Sequence, residues 1–509
     1  MKRDILKATV TVFVLTLIAK AIAFGKSVLQ ASYFGATIET DAFNLSSGFV
    51  NNILYMITTA LAVSFVPIYV QRKKKGEEEG KRFATISVTV LFFAAIITSV
   101  IMMLLAPLII KVIAPLYEGE IFNMTVNYFR VLCTGISFSL ITQLFTNLLN
   151  AEKKYGFSSL TSIINSLTLI IMIVAFANTL GVWTLVISVP VSFIVQWFAL
   201  SWKSRKYAKI SLCYGIKDKA LIQLLLQATP ILISQATVEI NQVIDRALLT
   251  TIGTGIVTSV SYSAVLYLFA SALISTPLST VMFTELSEAA AEKNVEKMSG
   301  ILSSCYRVLF LLCIPIVIVI IFCSHNIVTI VYGHGRFTEI AIAQCAIGLA
   351  TYGFCLLPVG IKTVLSRAYY SLNDTKRPMI IGIFEVILNI GLSIALVRPF
   401  GIAGVVGATA IASVVFIIIM LIDFNKKYYK VLNRKEIISY WKKILSGVII
   451  LVIFLFVKDI TVVNALVSFA IKTVIAFASY FMILLLLKDT TMINVSKKAF
   501  GYLNKYRKK

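Results

Sequence analysis

Charged residues are scarce in this chain of 509 residues. Asp, Glu, Lys and Arg together make up 14% of it and hydrophobic residues 59%, whereas a typical globular domain has about 25% charged and about 45–50% apolar residues. The mean hydropathy is +0.91. Because a membrane-spanning helix needs about 20 mostly apolar residues, the chain has room for about a dozen spans or more. This composition excludes a water-soluble enzyme, a nucleic-acid-binding domain and a disordered tail.

Residues suited to metal binding and catalysis are also few. The two histidines, His325 and His334, have no carboxylate cluster beside them, and no two cysteines form a CxxC motif. We therefore expect no metal site and no cofactor. Residues 76–81 resemble a phosphate-binding loop but are strongly acidic, one residue short and not between a strand and a helix. With no Ser/His/Asp set and no soluble domain to house one, we do not expect an enzyme.

Apolar runs separated by polar residues predict an all-α, polytopic membrane protein with fourteen transmembrane helices. The first run has a basic start like that of a signal peptide, but Lys20 interrupts it and a multi-pass pattern follows, so we expect an uncleaved first helix. The runs lie at approximately 8–33, 42–70, 84–112, 124–149, 158–178, 181–202, 219–250, 257–285, 301–324, 340–370, 378–397, 402–423, 441–457 and 462–487.

The net charge of +24 follows membrane topology rather than nucleic-acid binding. Basic blocks at 72–75, 203–209, 426–427 and 505–509 fall in alternate loops, and the loops between them contain few Lys or Arg. Cytoplasmic loops are enriched in these residues. We therefore predict a bacterial cytoplasmic-membrane protein with both termini in the cytoplasm and no bound nucleic acid.

The second half of the chain repeats parts of the first. Residues 149–154 match 372–377 at an offset of 223, and residues 34–35 match 252–253 at an offset of 218. Asn165 would meet Asn389 at an offset of 224, which needs a one-residue slip in the preceding loop.

This repeat predicts two pseudo-symmetric six-helix lobes, at 1–218 (helices 1–6) and 219–424 (helices 7–12). Residues 425–509 would then hold helices 13 and 14 and a basic cytoplasmic tail. Because both copies start on the same side and contain an even number of spans, they are predicted to be parallel repeats around an axis along the membrane normal. Such paired bundles suggest a central cavity and alternating access.

Ionisable residues inside spans are expensive and mark functional sites or ion pairs. Lys20 and Lys26 lie six residues apart in the first helix, with Gly25 between them. A straight helix would not place both on one face, but a break near Gly25 would bring both toward one cavity. The alternative is that Lys26 pairs with Asp41 or that the side chains extend to the membrane surface.

The seventh and later spans contain further charges. Glu239 and Arg246 lie seven residues apart on one helix face with Asp245 adjacent, so either a site or mutual compensation fits. Lys362 and Glu385 are further buried candidates, as is Lys472, and Glu385 shares a helix face with Asn389.

Several segments resemble one family of membrane proteins. Residues 34–43 (FGATIETDAF) and 65–68 (FVPI), then 245–247 (DRA) with 253–255 (GTG), and 367–378 (RAYYSLNDTKRP) are similar to the MurJ/MviN lipid II flippases. These belong to the multidrug/oligosaccharidyl-lipid/polysaccharide exporter superfamily. The matches run in family order across about 400 residues, and the fourteen predicted spans agree with it.

The resemblance implies a central cavity whose basic residues receive a lipid-linked diphosphate saccharide, with the lipid tail along helices 13 and 14. Lys20 and Lys26 fall where the family has arginines, and Asp41 matches directly. Asn51-Asn52 and Ala264-Val265 depart from the family's charged positions. Lysine also lacks the two-pronged guanidinium that suits phosphate. The predicted substrate-binding residues are Lys20, Lys26, Asp41, Asn52, Glu239, Asp245, Arg246, Lys362 and Glu385.

The expected function is translocation of a polyprenyl-diphosphate-linked saccharide by a monomer among membrane lipids, with lipid II for peptidoglycan as the leading substrate. A coupling ion or the membrane potential would drive it. The two departures favour a flippase for capsule, teichoic or other polysaccharide units as an alternative. Acidic residues in the spans (Glu239, Asp245 and Glu385) keep a cation-coupled drug exporter open. No sequence feature favours a scaffold that only recruits cell-wall enzymes.

Overall fold

The computed structural model describes residues 2–154, 156–211, 218–372, 374–428, 434–457 and 465–493, and all its regular elements there are α-helices. Cys213, Asn373 and the basic block at 505–509 lie outside the described residues. The helices are α1 (Lys2–Phe34), α2 (Ile38–Lys75), α3 (Glu77–Ile113), α4 (Gly119–Cys133), α5 (Ile136–Ala151), α6 (Gly156–Leu180), α7 (Trp183–Ser204), α8 (Lys219–Thr250), α9 (Ile256–Ala291), α10 (Val295–Tyr332), α11 (Glu339–Gly353), α12 (Leu356–Ser371), α13 (Lys376–Lys427), α14 (Arg434–Val457) and α15 (Ala465–Leu486).

The helix lengths and composition confirm a polytopic membrane protein. Among the described residues, 11 helices are long and apolar enough to cross a membrane, or up to 13 when each of two bent pairs is counted as one span. Helix α13 has 52 residues, about 78 Å at about 1.5 Å per residue, against a hydrocarbon core of about 30 Å. It is broken at Gly401 (φ 54°, ψ −127°). Counting its two parts separately gives the fourteen predicted spans.

The helix bounds also repeat along the chain. Helix α2 begins at Ile38 and α9 at Ile256, 218 positions later, as the sequence match at that offset predicted. Helix α4 begins at Gly119 and α11 at Glu339, and α6 begins at Gly156 and α13 at Lys376, both 220 positions apart.

The offsets of 223 and 224 were therefore wrong. The loops before α6 and α13 have equal length, because α5 ends at Ala151 and α12 at Ser371, so no slip occurs between the copies. Asn165 corresponds to Glu385 at the offset of 220, not to Asn389. The break at Gly401 repeats Gly181 in the same register, and both glycines have φ 54°.

The described chain divides by contacts into two compact units. Unit 1 contains residues 1–258 and 334–341, and unit 2 contains residues 259–333 and 342–509. The lobe boundaries at 218 and 424 come from the repeat rather than from contacts, and they stay a prediction.

Each unit has its own packed interior. In unit 1, α2 packs against α3, α4, α5 and α8, and the stacked rings of Phe65, Tyr69 and Phe83 fill the space between α2 and α3. In unit 2, α10 packs against α12, α14 and α15, with Phe454 and Tyr480 fully buried between them. Apolar helices suit this setting because a helix satisfies its own backbone hydrogen bonds in lipid.

Candidate functional site

The two lysines of α1 lie on different faces of a continuous helix. Helix α1 runs from Lys2 to Phe34 without interruption at Gly25, so the structure does not contain the break that would have brought both side chains toward one cavity. At about 100° per residue, six positions leave Lys20 and Lys26 about 120° apart around the helix axis. Lys20 is exposed and Lys26 is partly buried. Among the described residues, neither side chain has an ion pair or hydrogen bond.

Asp41 does not pair with Lys26 but binds the start of α9. Its side chain is 1% exposed, and its two carboxylate oxygens accept hydrogen bonds from the backbone N–H groups of Gly255 (2.5 Å) and Thr258 (2.8 Å). The first N–H groups of a helix lack partners within the helix, and its N-terminus favours negative charge. Asp41 therefore caps α9, and Asn44 adds a hydrogen bond to the Thr258 hydroxyl at 3.0 Å.

The turn between α1 and α2 packs against a second turn of unit 1 at very close range. Arg336 donates its backbone N–H to the Ser32 carbonyl at 2.8 Å. Gly35 (φ 64°) and Gly335 (φ 68°) both have left-handed backbones. A Cβ at Gly335 would overlap the Ser32 carbonyl oxygen, and one at Gly35 would overlap that of Arg336. Only glycine allows this approach, for steric and conformational reasons together.

Three of the predicted residues meet between α2 and α8. The Asn52 amide lies 3.3 Å from Arg246 Nη1 and 3.4 Å from the Glu239 backbone carbonyl. With the amide oxygen and nitrogen exchanged, its nitrogen donates to Glu239 Oε2 at 3.3 Å and to the Gly48 carbonyl at 3.0 Å. Asn52 and Glu239 are buried. The Asn52 amide thus lies between the two charged residues of α8. Asp245 accepts a hydrogen bond from Asn241 at 3.4 Å on the same helix.

Because Gly48 has no side chain, the guanidinium of Arg246 can lie directly against the backbone of α2 at this position. A Cβ on Gly48 would overlap the guanidinium, with Arg246 Nη1 as its nearest neighbour. Arg246 also lines a shallow depression together with Leu45, Phe49 and Val243. Sequence reasoning missed Gly48, although an isolated glycine inside an apolar helical run signals a packing reason, because it costs about 1 kcal/mol relative to alanine.

In unit 2 the structure brings Lys362 and Glu385 together. Lys362 Nζ lies 2.5 Å from Glu385 Oε2, and the other carboxylate oxygen accepts a hydrogen bond from the Ser413 hydroxyl at 3.1 Å. Asn389, one turn along α13, donates to the Thr409 hydroxyl at 3.0 Å. The shared helix face of Glu385 and Asn389 was predicted, but the pairing with Lys362 was not.

Polar networks at helix ends were also missed. Asp374, between α12 and α13, accepts hydrogen bonds from Lys427 Nζ (2.9 Å) and the Tyr428 hydroxyl (2.6 Å). Burial alone would raise the pKa of Asp374, but these hydrogen bonds lower it to about 2. Lys443 and Asp489 form a fully buried ion pair at 3.0 Å. The partners are 46 to 54 residues apart, so no local pattern signals them.

Comparison with known proteins identifies the family of this chain. Residues 30–484 match the family model described as lipid II flippase MurJ. The chain belongs to that family. A probable lipid II flippase MurJ of Rickettsia prowazekii is 26% identical over 444 residues, which cover 85% of this chain and 86% of that protein. A lipid II flippase MurJ of Burkholderia cenocepacia is 24% identical over 437 residues, covering 83% and 84%.

Solved structures agree on the fold of the MurJ family. A lipid II flippase MurJ in an inward closed conformation gives a TM-score of 0.82 at 22% identity, covering 95% of this chain and 100% of that one. An inward-facing multidrug resistance MATE family transporter gives 0.67 at 16% identity, covering 82% and 97%. Membership confirms the predicted family and a multi-pass bacterial membrane transporter rather than an enzyme. The likeness to the MATE transporter concerns the fold alone and does not favour drug export.

Proposed function

We propose that this chain translocates lipid II, the lipid-linked peptidoglycan precursor, across the bacterial cytoplasmic membrane. The observation that carries the proposal is the match of residues 30–484 to the lipid II flippase MurJ family. The cations held in the spans of unit 1 support it, because a diphosphate head group needs positive charge in a low-dielectric site.

Binding of the head group falls to the side chains of unit 1. Lys26 supplies positive charge from α1, and Arg246 supplies a guanidinium that suits phosphate geometry. Lys20 is exposed about 120° away around the same helix and does not share that face. Asn52 and Glu239 position Arg246, and Asp245 lies beside it on α8. Asp41 acts on a helix end rather than on substrate, because both its oxygens are occupied by backbone N–H groups.

Transport proceeds by alternating access of a single chain. The head group enters from the cytoplasmic side, where both termini lie, while the cap at Asp41 and the glycine turn at Gly35 and Gly335 close the outer side. Release requires these contacts to part. The lipid tail stays in the bilayer beside α14 and α15. The membrane potential supplies the drive, since moving a unit charge through it is worth about 2.3 kcal/mol per 100 mV.

A cell depleted of its own lipid II flippase tests the proposal. The chain should restore growth and expose lipid II head groups outside, and Lys26→Arg should do the same. Lys26→Ala should lose transport at unchanged membrane level, because a unit charge about 4 Å from phosphate contributes about 4 kcal/mol at an effective dielectric near 20. That corresponds to about a thousandfold in affinity.

Two results would point elsewhere. Rescue of a capsule or teichoic-acid flippase mutant, without rescue of the lipid II mutant, would assign a different saccharide. Replacing both Lys20 and Lys26 by Glu should abolish lipid II transport. Lipid II transport by that variant would contradict the anion site. Efflux of a cationic dye that depends on Glu239 would support the drug-exporter alternative.

A further inference from the structure

The negative charge of Glu385 is compensated by a lysine of the same unit, Lys362. Its carboxylate is buried within α13, and Lys362 Nζ from α12 lies 2.5 Å from it. On its other side, the Lys362 ammonium lies 4.7 Å from the centre of the Phe416 ring. An aromatic face attracts a cation at this distance. The ammonium is thus held between a carboxylate and a ring.

The matching position in unit 1 is neutral. At the offset of 220 given by the helix bounds, Glu385 corresponds to Asn165 and Lys362 to Thr142. Asn165 donates to the Ser192 hydroxyl at 2.9 Å. The Thr142 hydroxyl is buried with no hydrogen-bond partner among the described residues. Acid and base therefore stand together in one copy of the repeat and are absent together from the other.

The groups around Glu385 are those that bind hard cations. They comprise both carboxylate oxygens, the Ser413 hydroxyl on Oε1, and, one turn along α13, the Asn389 amide with the Thr409 hydroxyl. Carboxylate, amide carbonyl and hydroxyl oxygens are ligands of hard metal ions. A buried carboxylate in such a setting is neutralised by a proton, a basic side chain or a bound cation, since an uncompensated charge in a span is costly.

We propose that Lys362 is a tethered counter-cation that takes the place of a free alkali-metal ion at Glu385. This inference rests on the proposed function only where it concerns transport: head-group translocation by this chain then needs no Na⁺ at this site. As long as Lys362 and Glu385 remain paired, the ammonium neutralises the carboxylate. The pair then adds no net charge to the transport step, and the charge that moves is that of the substrate and of the basic side chains that bind it.

The experiment measures the unfolding temperature of the purified full chain without lipid II. NaCl, LiCl and KCl are compared with choline chloride at equal ionic strength, in the wild type, Lys362→Arg, Lys362→Met and Glu385→Gln. We expect no difference between salts in the wild type, in Lys362→Arg or in Glu385→Gln. Lys362→Met should unfold at a lower temperature in choline and regain roughly 2 °C or more in Na⁺ or Li⁺, because ligand binding stabilises the folded state.

The double variant Lys362→Met/Glu385→Gln is the matched control and should lose this cation response. An Na⁺-specific stabilisation of the wild type that Glu385→Gln removes would overturn the proposal, and this comparison does not depend on the folding of Lys362→Met. A folded Lys362→Met with no cation response would also overturn it. Loss of lipid II transport with the expected cation responses would contradict the proposed function instead.

Discussion

At the scale of single residues, Gly48 controls where the guanidinium of Arg246 lies. The two touch directly, and the atoms in contact belong to the flexible end of the arginine. Gly48→Ala should therefore change the unfolding temperature little, since the arginine can swing away and alanine favours a helix by about 0.5–1 kcal/mol. Lipid II binding should weaken about tenfold or more, because a cation loses its place.

Gly25→Ala on α1 is the control for this variant. A Cβ at Gly25 meets nothing within 4 Å, so the same glycine-to-alanine change should leave binding unaltered. Lipid II affinity of both purified variants is measured beside their unfolding temperatures. Equal affinities for Gly48→Ala and the wild type would show that the position of Arg246 is not needed for binding.

Sequence reasoning at this scale identified residues better than it identified their partners. It selected Arg246 and Glu385 because charges inside spans are costly, and Asp41 because it matches the family. It left open a pair between Lys26 and Asp41, whereas Asp41 binds N–H groups at Gly255 and Thr258. Such partners are 214 and 217 residues away, and the periodicity of a single helix carries no information at that distance.

At the scale of helices, the first turn of α9 depends on a residue of α2. Asp41→Ala removes the acceptor from the two buried N–H groups of Gly255 and Thr258. Buried donors left without partners cost about 1–3 kcal/mol, so the unfolding temperature should fall clearly. Asp41→Asn, which keeps one carbonyl oxygen, should lose less.

Glu39→Ala provides the comparison for Asp41, because Glu39 is an exposed acid in the same first turn of α2. It removes a similar charge from the same first turn and should change the free energy of unfolding by about 0.5 kcal/mol or less, so the unfolding temperature should hardly move. Thermal unfolding in detergent distinguishes the two. A similar effect of both variants would indicate that the helix-end field, and not the direct hydrogen bonds, explains the contribution of Asp41.

The positions of helix breaks could be predicted from the sequence only in part. Gly401 and Gly181 adopt positive φ, and each separates two apolar runs that were predicted as distinct spans. A break at Gly25 was one of the possibilities for α1 and is not present, because glycine permits a bend without requiring one. Whether a glycine breaks a helix depends on the contacts of the segments around it.

At the scale of the whole molecule, the alternation of basic loops predicts which side each loop occupies. Single cysteines at Lys74, Lys206 and Lys426, all exposed, should react with a membrane-impermeant thiol reagent only after the membrane is opened. Cysteines at Glu118 and Arg398 should react in intact cells. The six described native cysteines are buried, and Cys213 is replaced beforehand.

Intact-cell labelling at Lys206 would contradict the predicted orientation. Lys426 is chosen over Lys427 because Lys427 Nζ pairs with Asp374 at 2.9 Å, and its loss would disturb the end of α13. Labelling of Glu118 and Arg398 verifies that the reagent reaches exposed sites on the outer side.

By itself the sequence determined the helical class, the number of spans, the predicted orientation and the family. The helical class and the spans follow from local composition, because every span must satisfy its own backbone hydrogen bonds and match the lipid by its own side chains. The predicted orientation follows from the basic loops, and the family from the resemblance of its motifs. The register of the repeat was only partly recovered from sequence, since sparse matches gave 218 correctly but 223 in place of 220. Helix bounds resolved it.

The tertiary structure alone decided which charges meet. Asp41 lies on the amides of α9, Asn52 lies between Arg246 and Glu239, and Lys362 closes on Glu385. Hydrogen bonds and ion pairs act over about 3 Å, whereas these partners lie from 23 to more than 200 residues apart in the chain. Only the packing of helices brings them within that range, and so it converts costly buried charges into paired ones.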